Sequence, residues 1–229
     1  MTNRDIFFRS LSFWSMGLKY LHLVRVTAEQ VVGTKNRTVA AWWGERTPQE
    51  EAKELDRQTK WSDARLVEPL LFNFYHGLEL LLKGFALWKS DSNPKLDHRL
   101  TVLLDSFMKE YPGEVDLISA FQKYLAEPTM PEMLRDFLEK NESHVDRLYE
   151  SLRYPSNRDM SQDYEHIMLR YKGRKGLPFY EELVTDIGVI AKCAVALGRE
   201  LERGSKSEQG ELTPEQLKQL KKVVEGEYR

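Results

Sequence analysis

The sequence predicts an all-α fold, and three observations carry that prediction. Apolar residues recur every three or four positions through long segments, so each segment lays one continuous stripe along a helix. Helix start and stop signals, Thr47-Pro48 and Gly33 among them, sit at the ends of those segments. No alternating apolar and polar run bounded by turn signals marks a strand, and no internal repeat of fixed period is visible.

The first helix is expected over about residues 5–32, where Phe7, Leu11, Trp14, Leu18, Leu21, Val24, Ala28 and Val31 form a core or interface stripe and Gly33 terminates it. A polar connector, 34–61, follows as an insertion. Within it Thr47, Pro48 and Glu50 open a short charged helix over 48–59. Trp42, Trp43 and Trp61 flank that helix; they read as cover for the core or a subunit contact in preference to a stacking platform for bases. Ser62 caps the next helix, expected to about residue 89, with Pro69 either kinking it or marking its first turn. After a turn at Ser92, Asn93 and Pro94, Asp97 is the expected cap of a helix carrying Leu100, Leu103, Leu104 and Phe107, stopped by Tyr111, Pro112 and Gly113.

Further helices are expected at about 114–126, 131–140 and 143–152. Pro155 disfavours helical geometry at Tyr154, so the chain turns there before a short helix near 161–171. The last long helix, about 178–203, carries Phe179, Leu183, Ile187, Ile190, Ala194, Leu197 and Leu201 in a four-three repeat and should pair with the first or second long helix. Residues 1–203 thus form one helical domain. Residues 204–212 read as a flexible linker, and Thr213, Pro214 and Gln216 start an appended C-terminal helix over 213–229.

Composition limits the function classes. A chain of 229 residues with a net charge of −2 is globular and near neutral, which argues against a dedicated nucleic-acid coat or a polybasic membrane binder and leaves only a local cationic patch for phosphate. The single cysteine, Cys193, forms no intrachain disulfide and no cysteine-rich zinc site, consistent with a reducing, cytoplasmic compartment. Arg9 and Lys19 interrupt the aromatic N-terminal segment, so neither a secretion signal nor a membrane span is expected. No HExxH pair, EF-hand loop, Walker loop, dinucleotide fingerprint or GxSxG elbow is present, and no metal or other cofactor is expected.

The most informative segment is FNFYHGLELLLKGFALW, residues 72–88, in which His76, Glu79 and Lys83 recur at helical spacing through an apolar helix and share one face. Glu79 and Lys83 form an i, i+4 pair, and His76 reads as a core histidine satisfied by Glu79 or a neighbouring helix. His98 reads as structural, because a protonated imidazole at a helix start opposes the helix dipole. A second feature is RYKGRKG, residues 170–176, where Arg170, Lys172, Arg174 and Lys175 interleave with Tyr171 and glycines; it reads as a phosphate or RNA binding loop, or as a solvated one neutralised by Asp163 and Glu165.

Three stretches in order, HGLELLLKGFAL (76–87), DHRLTVLL (97–104) and LRYPSN (152–157), together resemble the HEPN superfamily, the first its Glu- and Lys-bearing helix and the second a helix start, and the resemblance covers roughly residues 62–200. It implies a HEPN-like antiparallel helical bundle with additional helices, a homodimer, and a role on or around RNA, as in the superfamily's RNA-cleaving toxins and phage-defence proteins. Catalytic relatives resemble one another in an Arg followed by a His with four to six residues between. Here Arg158 and His166 have seven between, Arg135 and His144 eight, and Arg65 and His76 ten, so the motif is missing as written. Arg158 and His166 are the best candidates for a degenerate version, about 80° apart if on a continuous helix. In that role His166 would move protons at the ribose 2′-hydroxyl or leaving oxygen and Arg158 would stabilise phosphate charge, giving a metal-independent endoribonuclease of stress or phage defence. The alternative is a non-enzymatic helical adaptor or dimerisation module that recruits a protein partner.

Overall fold

The computed structural model describes residues 3–41, 44–88 and 97–209, with side chains over 6–203 within those ranges. Trp42, Trp43, the turn at 92–94 and the appended helix at 213–229 lie outside the described residues. The described chain is all-α: α1 (Asn3–Gly33), α2 (Pro48–Thr59), α3 (Asp63–Trp88), α4 (Leu100–Glu110), α5 (Val115–Leu125), α6 (Glu132–Lys140), α7 (Val145–Arg153) and α8 (Leu177–Gln209). Among these residues no helix is long and apolar enough to cross a membrane.

Helices α1 and α3 run antiparallel as the central pair. Their approach is close because glycines face each other: a Cβ at Gly17 would lie 2.9 Å from the Gly77 carbonyl, and one at Gly84 would lie 2.4 Å from the Trp14 ring. The stripe expected on α1 is buried from Phe7 to Val31 against α3 and α8, apart from the half-buried Leu11. On α3 the aromatic side chains Phe74 and Phe85 are fully buried, and they meet Tyr124 of α5 and Phe107 of α4 at ring separations of 4.7 and 5.2 Å. Burying a side chain of this size stabilises by roughly 2–3 kcal/mol. Pro69 sits inside α3 without ending it; Asn73 Nδ2 donates to the Pro69 carbonyl at 2.6 Å.

The capping box at α2 forms as expected: the Glu50 amide donates to Thr47 Oγ1 at 3.3 Å, and the Thr47 amide donates to Glu50 Oε2 at 2.9 Å. The start of α4 differs from expectation. Asp97 does not cap it; its carboxylate instead accepts from the Arg99 amide at 2.8 Å and pairs with the Arg99 guanidinium. The cap comes from another helix, with Asp146 of α7 accepting from the Thr101 amide at 2.9 Å and from Thr101 Oγ1 at 2.6 Å.

Residues 161–171 are not a helix. A turn from Asn157 to Met160 is closed by an isolated bridge between Ser156 and Asp163, followed by single 3₁₀ turns at His166–Met168 and Gly173–Gly176. Local polar side chains divert the backbone: Asn157 Oδ1 accepts from the Gln162 amide and Asp159 Oδ1 from the Ser161 amide, both at 3.2 Å. Helix α8 continues past residue 203 to Gln209, so residues 204–209, expected to open the linker, are helical.

Candidate functional site

Three segments of chain converge on a cleft of about 210 Å³. Helix α3 supplies Glu79, which Lys83, one turn on, contacts; the stretch before α4 supplies His98; α7 supplies Tyr149 and Arg153. Lys83 Nζ lies 2.6 Å from Glu79 Oε1, and both side chains are about nine-tenths buried. A buried pair of this kind is satisfied only if further hydrogen bonds serve its remaining atoms. They do: Glu79 Oε2 faces His76 Nδ1 at 3.4 Å, and Oε1 faces His98 Nδ1 at 2.9 Å. Burial alone would raise the Glu79 pKa, but the bonds from His76, Lys83 and His98 win and hold it at about 2.

His98 is the unusual member. Its Nδ1 is 2.9 Å from Glu79 Oε1 and 3.0 Å from Lys83 Nζ, while its side chain is 85 % exposed. One nitrogen cannot serve both partners at once. With a proton, Nδ1 donates to the carboxylate; without one, its lone pair accepts from the ammonium. In either state of Nδ1 one of the two neighbours is its hydrogen-bond partner, and Nε2 makes no hydrogen bond among the described residues.

Behind it, His76 Nδ1 also meets the Tyr149 hydroxyl at 3.2 Å, and the His76 ring packs edge-on against Tyr20 at 4.7 Å. Burial and the neighbouring Glu79 charge push the Tyr149 hydroxyl pKa up, so it stays protonated. At the rim, the Arg153 guanidinium lies 5.1 Å over the Tyr154 ring and forms no ion pair among the described residues. Asp146 is committed to capping α4, whereas Glu150 also lines the cleft. The lining thus has acid–base groups and one free guanidinium, but no excess of positive charge.

The site residues expected from sequence divide differently. His76, Glu79 and Lys83 are on one connected network. Arg158 sits at the exposed tip of the 157–160 turn, with no hydrogen bond or ion pair among the described residues. His166 Nε2 donates to the Ser151 carbonyl at 2.6 Å, and its ring stacks on Phe137 at 5.8 Å, so that nitrogen is committed to holding the segment on α6 and α7. No hydrogen bond joins Arg158 to His166. Arg170 is paired with Glu68, while Lys172, Arg174 and Lys175 form no ion pair among the described residues. No group of three or more His, Cys, Asp or Glu is placed to hold a metal ion among those residues. The Cys193 thiol is half-buried, and burial pushes its pKa up.

Sequence reasoning passed over His98 and Arg153 as site residues, although both lie in stretches with motif character, DHRL and LRYP. The signal available was the pairing of an i, i+4 Glu-Lys on an apolar helix with a histidine just ahead of the next helix. No family model, curated protein or solved structure matches the chain.

Proposed function

We propose that this chain is a HEPN-like protein acting on RNA by metal-independent acid–base chemistry, with His98 in the proton-transferring role that the sequence suggested for His166. The observation that supports this most is the dual contact of the exposed His98 through Nδ1 to Glu79 and Lys83, which leaves Nε2 free to meet a ligand. In the reaction, Nε2 accepts the ribose 2′-hydroxyl proton. The 2′-oxygen then bonds to the adjacent phosphorus as the bond from phosphorus to the 5′-oxygen breaks; the leaving oxygen takes a proton from water, and the hydroxide left behind takes the proton held on Nε2. Arg153, an unpaired cation lining the same cleft, would stabilise the developing phosphate charge.

The test is a denaturing gel of total RNA incubated with purified protein in EDTA. Wild type and His166→Ala cleave, and His98→Ala does not. Intact RNA in every lane, or cleavage indifferent to His98→Ala, would refute the reading.

A second reading, a non-enzymatic adaptor or dimerisation module, is favoured by one observation. Met16, Leu23 and Val26 lie within about 80° on the outer side of α1, and they are 49, 52 and 41 % exposed. A homodimer through that side is compatible with either reading. Sedimentation of wild type against Leu23→Glu distinguishes a dimer, which the charge breaks, from a monomer, which it leaves unchanged.

A further inference from the structure

The cleft has no cationic excess, so an RNA strand held there must be drawn by charge elsewhere. The fold builds such a surface from two loops far apart in sequence. Asn36, after α1, is 1 % exposed; its Nδ2 donates to Gly173 O at 2.9 Å and to Asp63 Oδ2 at 2.8 Å, while its Oδ1 accepts from the Asp63 amide at 2.8 Å. Asp63, fully buried at the start of α3, also accepts from the amides of Tyr171 at 3.0 Å and Lys172 at 2.7 Å. These bonds clamp residues 35–37 beside residues 171–175. Lys35 and Arg37 flank Asn36, and Lys172, Arg174 and Lys175 surround Gly173; none of the five forms an ion pair among the described residues.

A second observation concerns backbone shape. Tyr171 has φ +59°, a left-handed conformation that an aromatic residue adopts only under constraint, and its side chain is exposed, the residue as a whole being 58 % accessible. Lys35, at φ +60°, is constrained in the same way, whereas Asn36, at φ +46°, is of a residue type that takes this conformation readily. The two loops are therefore tied together by Asp63 and Asn36, and between them they carry five cations, Lys172 half-buried and the other four exposed, with an exposed aromatic ring.

We infer that residues Lys35, Arg37, Tyr171, Lys172, Arg174 and Lys175 form a docking surface for single-stranded RNA, with the cations on backbone phosphates and Tyr171 stacked on a base. Cationic grooves bearing exposed aromatic rings bind single strands in this manner. The surface lies some 24 Å along α3 from Glu79, from the rise over sixteen residues, so a strand anchored here can reach the cleft only if it extends over several nucleotides. The inference rests on the RNA reading above but concerns binding, not cleavage.

The test measures fluorescence anisotropy of a labelled oligouridylate at several salt concentrations, with cleavage of the same oligomer followed on gels. The quadruple variant Lys35→Ala, Arg37→Ala, Arg174→Ala, Lys175→Ala should bind at least tenfold more weakly, with a log affinity against log salt slope shallower by about 3. Tyr171→Gly, which relaxes the backbone while removing the ring, should weaken binding about tenfold at unchanged salt slope. Arg158→Ala, which removes an exposed cation outside the surface, should bind like wild type. Wild-type affinity and slope in the quadruple variant would overturn the docking surface while leaving the cleft reading standing, as would cleavage by wild type without salt-dependent binding. Neither binding nor cleavage by wild type would overturn both, and full binding by Tyr171→Gly would overturn the stacking role. Far-UV circular dichroism of each variant separates lost binding from lost fold.

Discussion

Replacing Asp63 by alanine should unfasten the basic loop and cost about 3–4 kcal/mol of stability. Its carboxylate accepts three hydrogen bonds, from Asn36 Nδ2 and from the amides of Tyr171 and Lys172, at 2.8, 3.0 and 2.7 Å. Each orphaned buried donor costs about 1–3 kcal/mol, and the two loop amides lie near enough to solvent to recover part of that through water. A loss of this size is a large fraction of a typical 5–15 kcal/mol total. Urea unfolding followed by circular dichroism should show a lower midpoint at unchanged slope. Trypsin should cut at Arg174 and Lys175 in Asp63→Ala well before it cuts wild type, because φ +59° at Tyr171 is no longer enforced. Asp63→Asn, which keeps one acceptor but faces a donor with a donor, should fall between the two. A loss below about 1 kcal/mol with unchanged trypsin resistance would show that the loop holds its shape without the clamp.

Other outcomes follow from single contacts. The Glu79 carboxyl, held at about 2 against an ordinary 4.5, is depressed in the folded state, so its contribution is present above about pH 4.5 and lost as pH falls towards 2. After screening in the open cleft, wild type should lose roughly 2 kcal/mol more than Glu79→Gln across that window, read by urea unfolding at each pH. Gly84→Ala places a methyl 2.4 Å from the Trp14 ring and should destabilise by about 1–2 kcal/mol net of alanine's better helix propensity, measured as a lower urea midpoint. His166→Ala leaves the Ser151 carbonyl unpaired and should cost about 1–3 kcal/mol in the same assay.

The helices were legible in the sequence wherever a stripe and an end signal agreed. The Phe7-to-Val31 stripe, the Thr47-Pro48-Glu50 start and the four-three repeat of α8 each report a local physical requirement, so each could be read locally. What escaped was settled by distant partners. Asp97 looks like a cap, but Asp146 reaches Thr101 across 45 residues of chain. Residues 161–171 carry enough apolar character for a helix, yet Asn157, Asp159 and Asn141 capture the backbone; the Glu165 amide donates to Asn141 Oδ1 at 2.8 Å. His98 reads as structural until α3 brings Glu79 and Lys83 beneath it, and Lys35 and Arg37 look unremarkable until Asn36 sets them beside residues 172–175.

The clamp also imposes an order on the making of the molecule. The hydrogen bond from Asn36 to the Gly173 carbonyl joins residues 137 positions apart, among the most distant pairings in the described chain. Closing so long a loop is slow, and during synthesis it waits for the distal segment to leave the ribosome. The α1–α3 hairpin can pack much earlier, because its contacts need only the first 88 residues. A nascent chain therefore carries Lys35 and Arg37 with a packed helix pair but without their partner loop, and the composite cationic surface exists only on a chain translated past residue 175.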